Sequence, residues 1–197
     1  MDPKPPDGSS ITITSNGDGR LIVMPYASGG VMRYFTGAFL LLWLGGWVFG
    51  LISATTMLSS GKSGGFLLFW LGGWIIGGVF AAYYAYRIFR PSVPESLLLT
   101  LRSIKYDSGI APVQLQYSGA YRDRWEATKS FFAKRTIVDI DARQLQSLRL
   151  RDTETGNRLT VDAGASRLEI ARAATEVERE WLYQLLSERY GLPKPAA

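Results

Sequence analysis

The chain has 197 residues, a net charge of +5, no cysteine and no histidine. Without thiols it has no disulfide, thiolate nucleophile or iron–sulfur ligation, and without imidazole it lacks the commonest general base and the usual haem and zinc ligand. Carboxylates, lysines, hydroxyls and tyrosines remain, in no spacing that arranges them for chemistry. The expectation is therefore a protein that is not an enzyme and holds no metal or cofactor.

Residues 1–33 come first. Ile11-Thr-Ile-Thr-Ser15 and Arg20-Leu-Ile-Val-Met24 alternate apolar and polar positions around Asn16-Gly-Asp-Gly19, a turn of residues that tolerate positive φ. This pattern predicts a β-hairpin. A lone two-stranded hairpin is marginal in water, so the segment is expected to join a sheet formed later in the chain.

A mean hydropathy of +0.03 averages an apolar middle with polar ends. No charged residue occurs from Tyr34 to Leu58 or from Gly64 to Tyr86. Each run exceeds the roughly 20 apolar residues that carry a helix across a bilayer core. The predicted spans are residues 34–58 and 66–89, joined by a short loop at 59–65. The first is too long for the apolar core of a signal peptide and follows a polar segment, so no cleavage is expected. Lys62 is the one cation in the loop, whereas Arg20, Arg33, Arg87, Arg90, Arg102 and Lys105 flank the outer ends. The positive-inside rule then predicts a multi-pass protein of a bacterial cytoplasmic (inner) membrane with both termini cytoplasmic. Tyr34, Phe35, Tyr83, Tyr84 and Tyr86 match the aromatic belt at such an interface.

The two spans are near copies. Phe39-Leu-Leu-Leu-Trp-Leu-Gly-Gly-Trp47 returns 27 residues later as Phe66-Leu-Leu-Phe-Trp-Leu-Gly-Gly-Trp74. Small residues recur every fourth position, as Gly46, Gly50 and Ala54 and as Gly73, Gly77, Ala81 and Ala85. Such stripes let helix backbones approach closely in lipid, which makes Gly46, Gly50, Ala54, Gly73, Gly77 and Ala81 the candidate helix-packing residues. They serve either the hairpin itself or a partner. Trp43, Trp47, Trp70 and Trp74 are candidate contacts for an intramembrane partner, a pigment or a lipid, because Trp47 and Trp74 fall near mid-span, where an indole N–H wants an acceptor. No ionisable residue interrupts either uncharged run, which argues against an ion path or proton relay.

Gly61-Lys62-Ser63 imitates the end of a phosphate-binding loop, but position 56 is Thr56 where the motif needs glycine, and the flanking elements are apolar spans. Beyond Pro91 and Pro94, strands are expected at 96–105, 110–117, 134–139, 146–152, 158–162 and 167–171. A helix follows, opened by a Thr175/Glu178 capping box and stopped by Gly191 and Pro193. The most basic stretch is Arg122, Arg124, Lys129, Lys134 and Arg135. With Trp125 and other interleaved aromatics, it is a candidate lipid or partner surface.

The run from Arg135 through Leu148-Arg-Leu150, Asn157-Arg-Leu-Thr-Val161 and Leu168-Glu-Ile170, closed by Trp181-Leu-Tyr-Gln-Leu185, resembles bacterial membrane proteins with a pleckstrin-homology-like domain. The doubled Trp-Leu-Gly-Gly-Trp hairpin is similar to uncharacterised two-span proteins of that kind. The resemblance implies a cytoplasmic β-domain over 95–191. The expected class is an α+β membrane protein, with an antiparallel two-helix transmembrane hairpin and a PH-like β-sandwich or barrel capped by a C-terminal helix. Domains of this sort also occur in assembly factors of bacterial photosynthetic complexes. The expected function is a non-catalytic accessory, scaffold or assembly subunit of a bacterial inner-membrane complex, respiratory or photosynthetic in type. Its partners would be other integral membrane proteins and lipids, not nucleic acid. The alternative is a PH-like module that senses lipid or anion at the membrane surface.

Overall fold

The computed structural model of the protein describes residues 4–27, 30–61, 64–113, 134–154 and 156–192. The chain is α+β and divides into a helical unit and a β unit.

The helical unit is a pair of long helices, α1 (Met32–Ser59) and α2 (Gly65–Phe89). Both are long and apolar enough to cross a membrane, and only 6% and 11% of their most apolar windows are buried. A core helix of a soluble protein would hide such a surface. The helices run antiparallel. A side chain at Gly37, near the start of α1, would meet Ile88 and Phe89 at the end of α2, and one at Gly78 would meet the ring of Trp47. Arg90 ends α2 in an extended conformation just before Pro91, as the residue preceding a proline favours.

The β unit contains two antiparallel sheets. The five-stranded sheet takes β1 (Thr12–Asn16), β2 (Gly19–Met24), β3 (Glu95–Leu99), β4 (Ser103–Asp107) and β5 (Ile137–Asp141) in that order. The N-terminal hairpin enters it through β2, which pairs with β3 from Arg20↔Leu99 to Met24↔Glu95. The three-stranded sheet is β6 (Arg149–Thr153), β7 (Gly156–Ala163) and β8 (Ser166–Ile170). Between the sheets lies α3 (Ala142–Leu145), a single turn capped by Asp141, and after them α4 (Glu176–Tyr190).

Alternation explains the core. Ile22, Met24, Leu97, Leu99, Ile104, Tyr106 and Ile140 are fully buried from the first sheet, and Leu159, Val161 and Ile170 from the second. Leu182, Leu185 and Leu186 bring the apolar side of α4 into the same cluster. Thr175 and Glu178 form a reciprocal capping box at its start, and Gly191 ends it in the left-handed conformation at φ 60°. Glycine adopts that conformation without a Cβ penalty.

The strand expected at 96–105 is two strands. Leu97 and Leu99 are inward at odd positions, Ile104 and Tyr106 at even ones. A continuous strand cannot place both pairs on one face. The chain turns at Thr100–Arg102 instead, where the Thr100 hydroxyl accepts from Ser103 N–H at 3.0 Å. The α3 turn was not foreseen, and the strand expected at 134–139 runs from Ile137 to Asp141. Of the strand expected at 110–117, Ile110 makes one isolated bridge to Val93. Residues 114–117 lie outside the described residues.

Candidate functional site

The helical unit carries the most unusual side-chain arrangement. Trp47 donates its indole N–H to the main-chain carbonyl of Trp74 at 3.0 Å. That carbonyl stands one helical turn before Gly78, whose missing side chain leaves the space the Trp47 ring occupies. Any Cβ at position 78 would collide with the ring, so glycine there admits both the contact and the hydrogen bond.

The mirror contact is not made. Trp74 Nε1 is buried without an acceptor among the described residues. Its ring lies 3.6 Å from where a Cβ on Gly50 would stand. The repeat explains the difference: 27 residues before Gly78 stands Leu51. The first span has glycine, then leucine, where the second has two glycines, so the bare position that admits the Trp47 ring has no counterpart in the first span.

On the outside of the hairpin the remaining indoles form an array. Trp70 stacks on Trp74 with centroids 4.6 Å apart and planes 23° apart, and Trp43 lies 6.5 Å from Trp74. With Phe69, Gly73 and Gly77 they line a groove of about 760 Å³ that is almost wholly apolar.

The sequence-derived packing residues divide between two surfaces. Ala54 is buried and Gly50 and Ala81 are half-buried, while Gly46, Gly73 and Gly77 are exposed. No atom lies within 4 Å of a Cβ built on any of those three glycines. The close approaches inside the hairpin fall at Gly37 and Gly78, which the i, i+4 stripe did not include. The Gly77-Gly78 doublet facing Gly50-Leu51 in the repeat was the signal for Gly78.

Of the basic candidate surface, Arg122, Arg124, Trp125 and Lys129 lie outside the described residues. Lys134 is exposed. Arg135 grips Asp107 through Nε at 3.0 and 3.1 Å and through a second nitrogen. The Arg135 guanidinium holds the Asp107 carboxyl below its ordinary value.

The β unit buries one carboxylate, Glu95 on β3. Tyr106 O–H donates to Oε1 at 2.7 Å and Ala173 N–H to Oε2 at 2.8 Å. Ala173 follows β8 through Ala171, which holds a left-handed φ of 57°. Glu95 therefore ties the five-stranded sheet to the chain leaving the three-stranded one. Burial raises its pKa above the usual carboxylate value, opposed by these hydrogen bonds. Burial likewise pushes Tyr26, whose hydroxyl donates to the Ser108 carbonyl at 2.8 Å, up to about 12. With a donor on each carboxylate oxygen, Glu95 acts as a structural clamp.

Comparison with known proteins returns no match to any family model, curated protein or solved structure.

Proposed function

We propose that this chain is a membrane-anchored, non-catalytic accessory, scaffold or assembly subunit of a larger bacterial inner-membrane complex. In this reading α1 and α2 are a transmembrane hairpin, both termini are cytoplasmic, and the β unit is a PH-like domain. The observation that carries it is the groove of Trp43, Trp70 and Trp74 beside Gly73 and Gly77, left on the outside once the hairpin has packed. In hydrocarbon, apolar surface alone gives helices no reason to associate, so association relies on close packing and interhelical hydrogen bonds. Exposed glycines beside ring faces offer a neighbouring helix a close approach without the removal of side chains.

Two further observations support the reading. Arg87 and Arg90 close α2 at one end, which fits that end at the cytoplasmic face. Sheets of five and three strands with a C-terminal helix packed into their shared core suit a PH-like fold.

Purification of the tagged chain from native membranes in mild detergent tests this. One or more membrane proteins should co-purify in fixed proportion. A lone monomer would count heavily against the proposal.

A further inference from the structure

The three-stranded sheet sorts its side chains by register. Leu150, Leu159, Val161, Leu168 and Ile170 share the face that packs on the core. The opposite face carries four arginines, Arg149 and Arg151 on β6, Arg158 on β7 and Arg167 on β8. Arg149 and Arg151 are exposed on an edge strand. Arg151 stands directly opposite Arg158, and like charges in that relation oppose folding. Nothing in the packing of the core calls for this pairing.

Two carboxylates share the face. Glu169 lies 3.7 Å from Arg158, and Asp162 accepts from Arg167 at 2.8 Å. Arg149 donates to the carbonyls of Gln146 and Leu148 at 3.0 and 2.8 Å, which fixes its guanidinium in place without neutralising it. Among the described residues neither Arg149 nor Arg151 pairs with a carboxylate. Four arginines against Asp162 and Glu169 leave the face a net excess of two positive charges. Arg149 and Arg151, at its edge, act on Asp162 only at longer range, and that carboxylate is already bound to Arg167.

Such a surface complements a flat array of anions better than a single buried ligand. Only Arg90 to Pro94 separate α2 from β3 in the chain, and five residues reach no more than about 18 Å. A β unit tethered by so short a link stays close to the bilayer surface, and anionic headgroups attract any surface arginine that comes within about a Debye length of them. Guanidinium groups also match phosphate oxygens two at a time. We infer that the outer face of β6–β8, led by Arg149 and Arg151, docks on the anionic lipid headgroups of the membrane that anchors the chain. The inference rests on the membrane reading above.

The chain has no cysteine, so Thr153→Cys, on the same exposed face of β6, gives a unique labelling site. The full-length labelled protein is placed in nanodiscs of phosphatidylcholine, with or without phosphatidylglycerol, and energy transfer to a headgroup-attached acceptor is read. Transfer should rise with phosphatidylglycerol and fall again in high salt. R149Q/R151Q should lower the docking equilibrium constant about thirtyfold, while R102Q/R143Q, an equal loss of exposed charge elsewhere, should leave it unchanged. Circular dichroism shared by all variants shows that the sheet still forms.

Equal transfer in both lipids, or equal loss in the two double variants, would overturn the inference and leave the membrane reading standing. If transfer instead rises only on adding an acidic membrane protein, the face belongs to a protein partner and the lipid assignment falls. Failure to enter nanodiscs, seen without any label, would remove the membrane reading and this inference with it.

Discussion

Trp47 and Trp74 occupy equivalent places in a 27-residue repeat, yet one donates its indole N–H to the other's carbonyl at 3.0 Å while the second indole N–H has no acceptor among the described residues. Gly78, which admits the Trp47 ring, has Leu51 as its counterpart in the other copy. The hairpin is therefore asymmetric where its two near copies differ.

Neighbouring glycines should respond oppositely to a methyl group. Gly78→Ala drives a Cβ into the Trp47 ring and should destabilise the hairpin by about 1–3 kcal/mol. Gly77→Ala meets open space and should be neutral or slightly favourable to the helix. Thermal unfolding of both variants in detergent checks this, and similar losses would refute the packing described.

The two central tryptophans should differ as well. Trp47→Phe removes a hydrogen bond worth roughly 0.6–2 kcal/mol in a membrane setting, in addition to ring area. Trp74→Phe removes a donor that has no acceptor among the described residues, so it should cost less by about that amount. Equal costs in the same unfolding assay would mean that the Trp47–Trp74 bond contributes nothing.

Glu95 gives a pH signature. Its folded pKa is raised, chiefly by burial, so the folded state holds this proton more tightly than the unfolded one. Its favourable contribution is complete below the unfolded value and is lost as pH rises through the folded one. Glu95→Gln should erase that component, so the stability difference between variant and wild type should change across this window. Glu95→Ala should cost about 1–3 kcal/mol or more at every pH, because Tyr106 and Ala173 lose their acceptor. Unfolding midpoints measured from acid to neutral pH decide the matter, and a difference that stays flat with pH would exclude the buried carboxylate as its source.

Capping should matter for α4. The Thr175 hydroxyl accepts from Glu178 N–H, and Glu178 returns a carboxylate oxygen to Thr175 N–H at 2.6 Å. Thr175→Ala should lower stability by about 1 kcal/mol, seen as an earlier unfolding midpoint with unchanged helix content.

Much of the fold was written in local patterns. The two uncharged runs gave α1 and α2, the alternation around Asn16–Gly19 gave the first hairpin, and Thr175 with Glu178 marked the start of α4. The strand expected at 96–105 hides the turn between β3 and β4. The change from odd to even buried positions at Thr100 contained the break. Sites were harder to read. A repeat of small residues marks where helices can approach but not which face meets which partner, so Gly46, Gly73 and Gly77 appeared equivalent to Gly50. Only the three-dimensional register shows that Gly78 receives Trp47. Nothing local to Glu95 announces that Tyr106, 11 residues on, and Ala173, 78 residues on, close around it.

The most direct test of the central claim is site-specific photocrosslinking in native membranes. A photoreactive residue replaces Phe69, which lines the tryptophan groove, or Phe49, which is equally exposed but outside it. The account predicts a discrete heavier product containing a second membrane protein from position 69 and none from position 49. Lipid adducts alone, or products containing only this chain, from position 69 would contradict it.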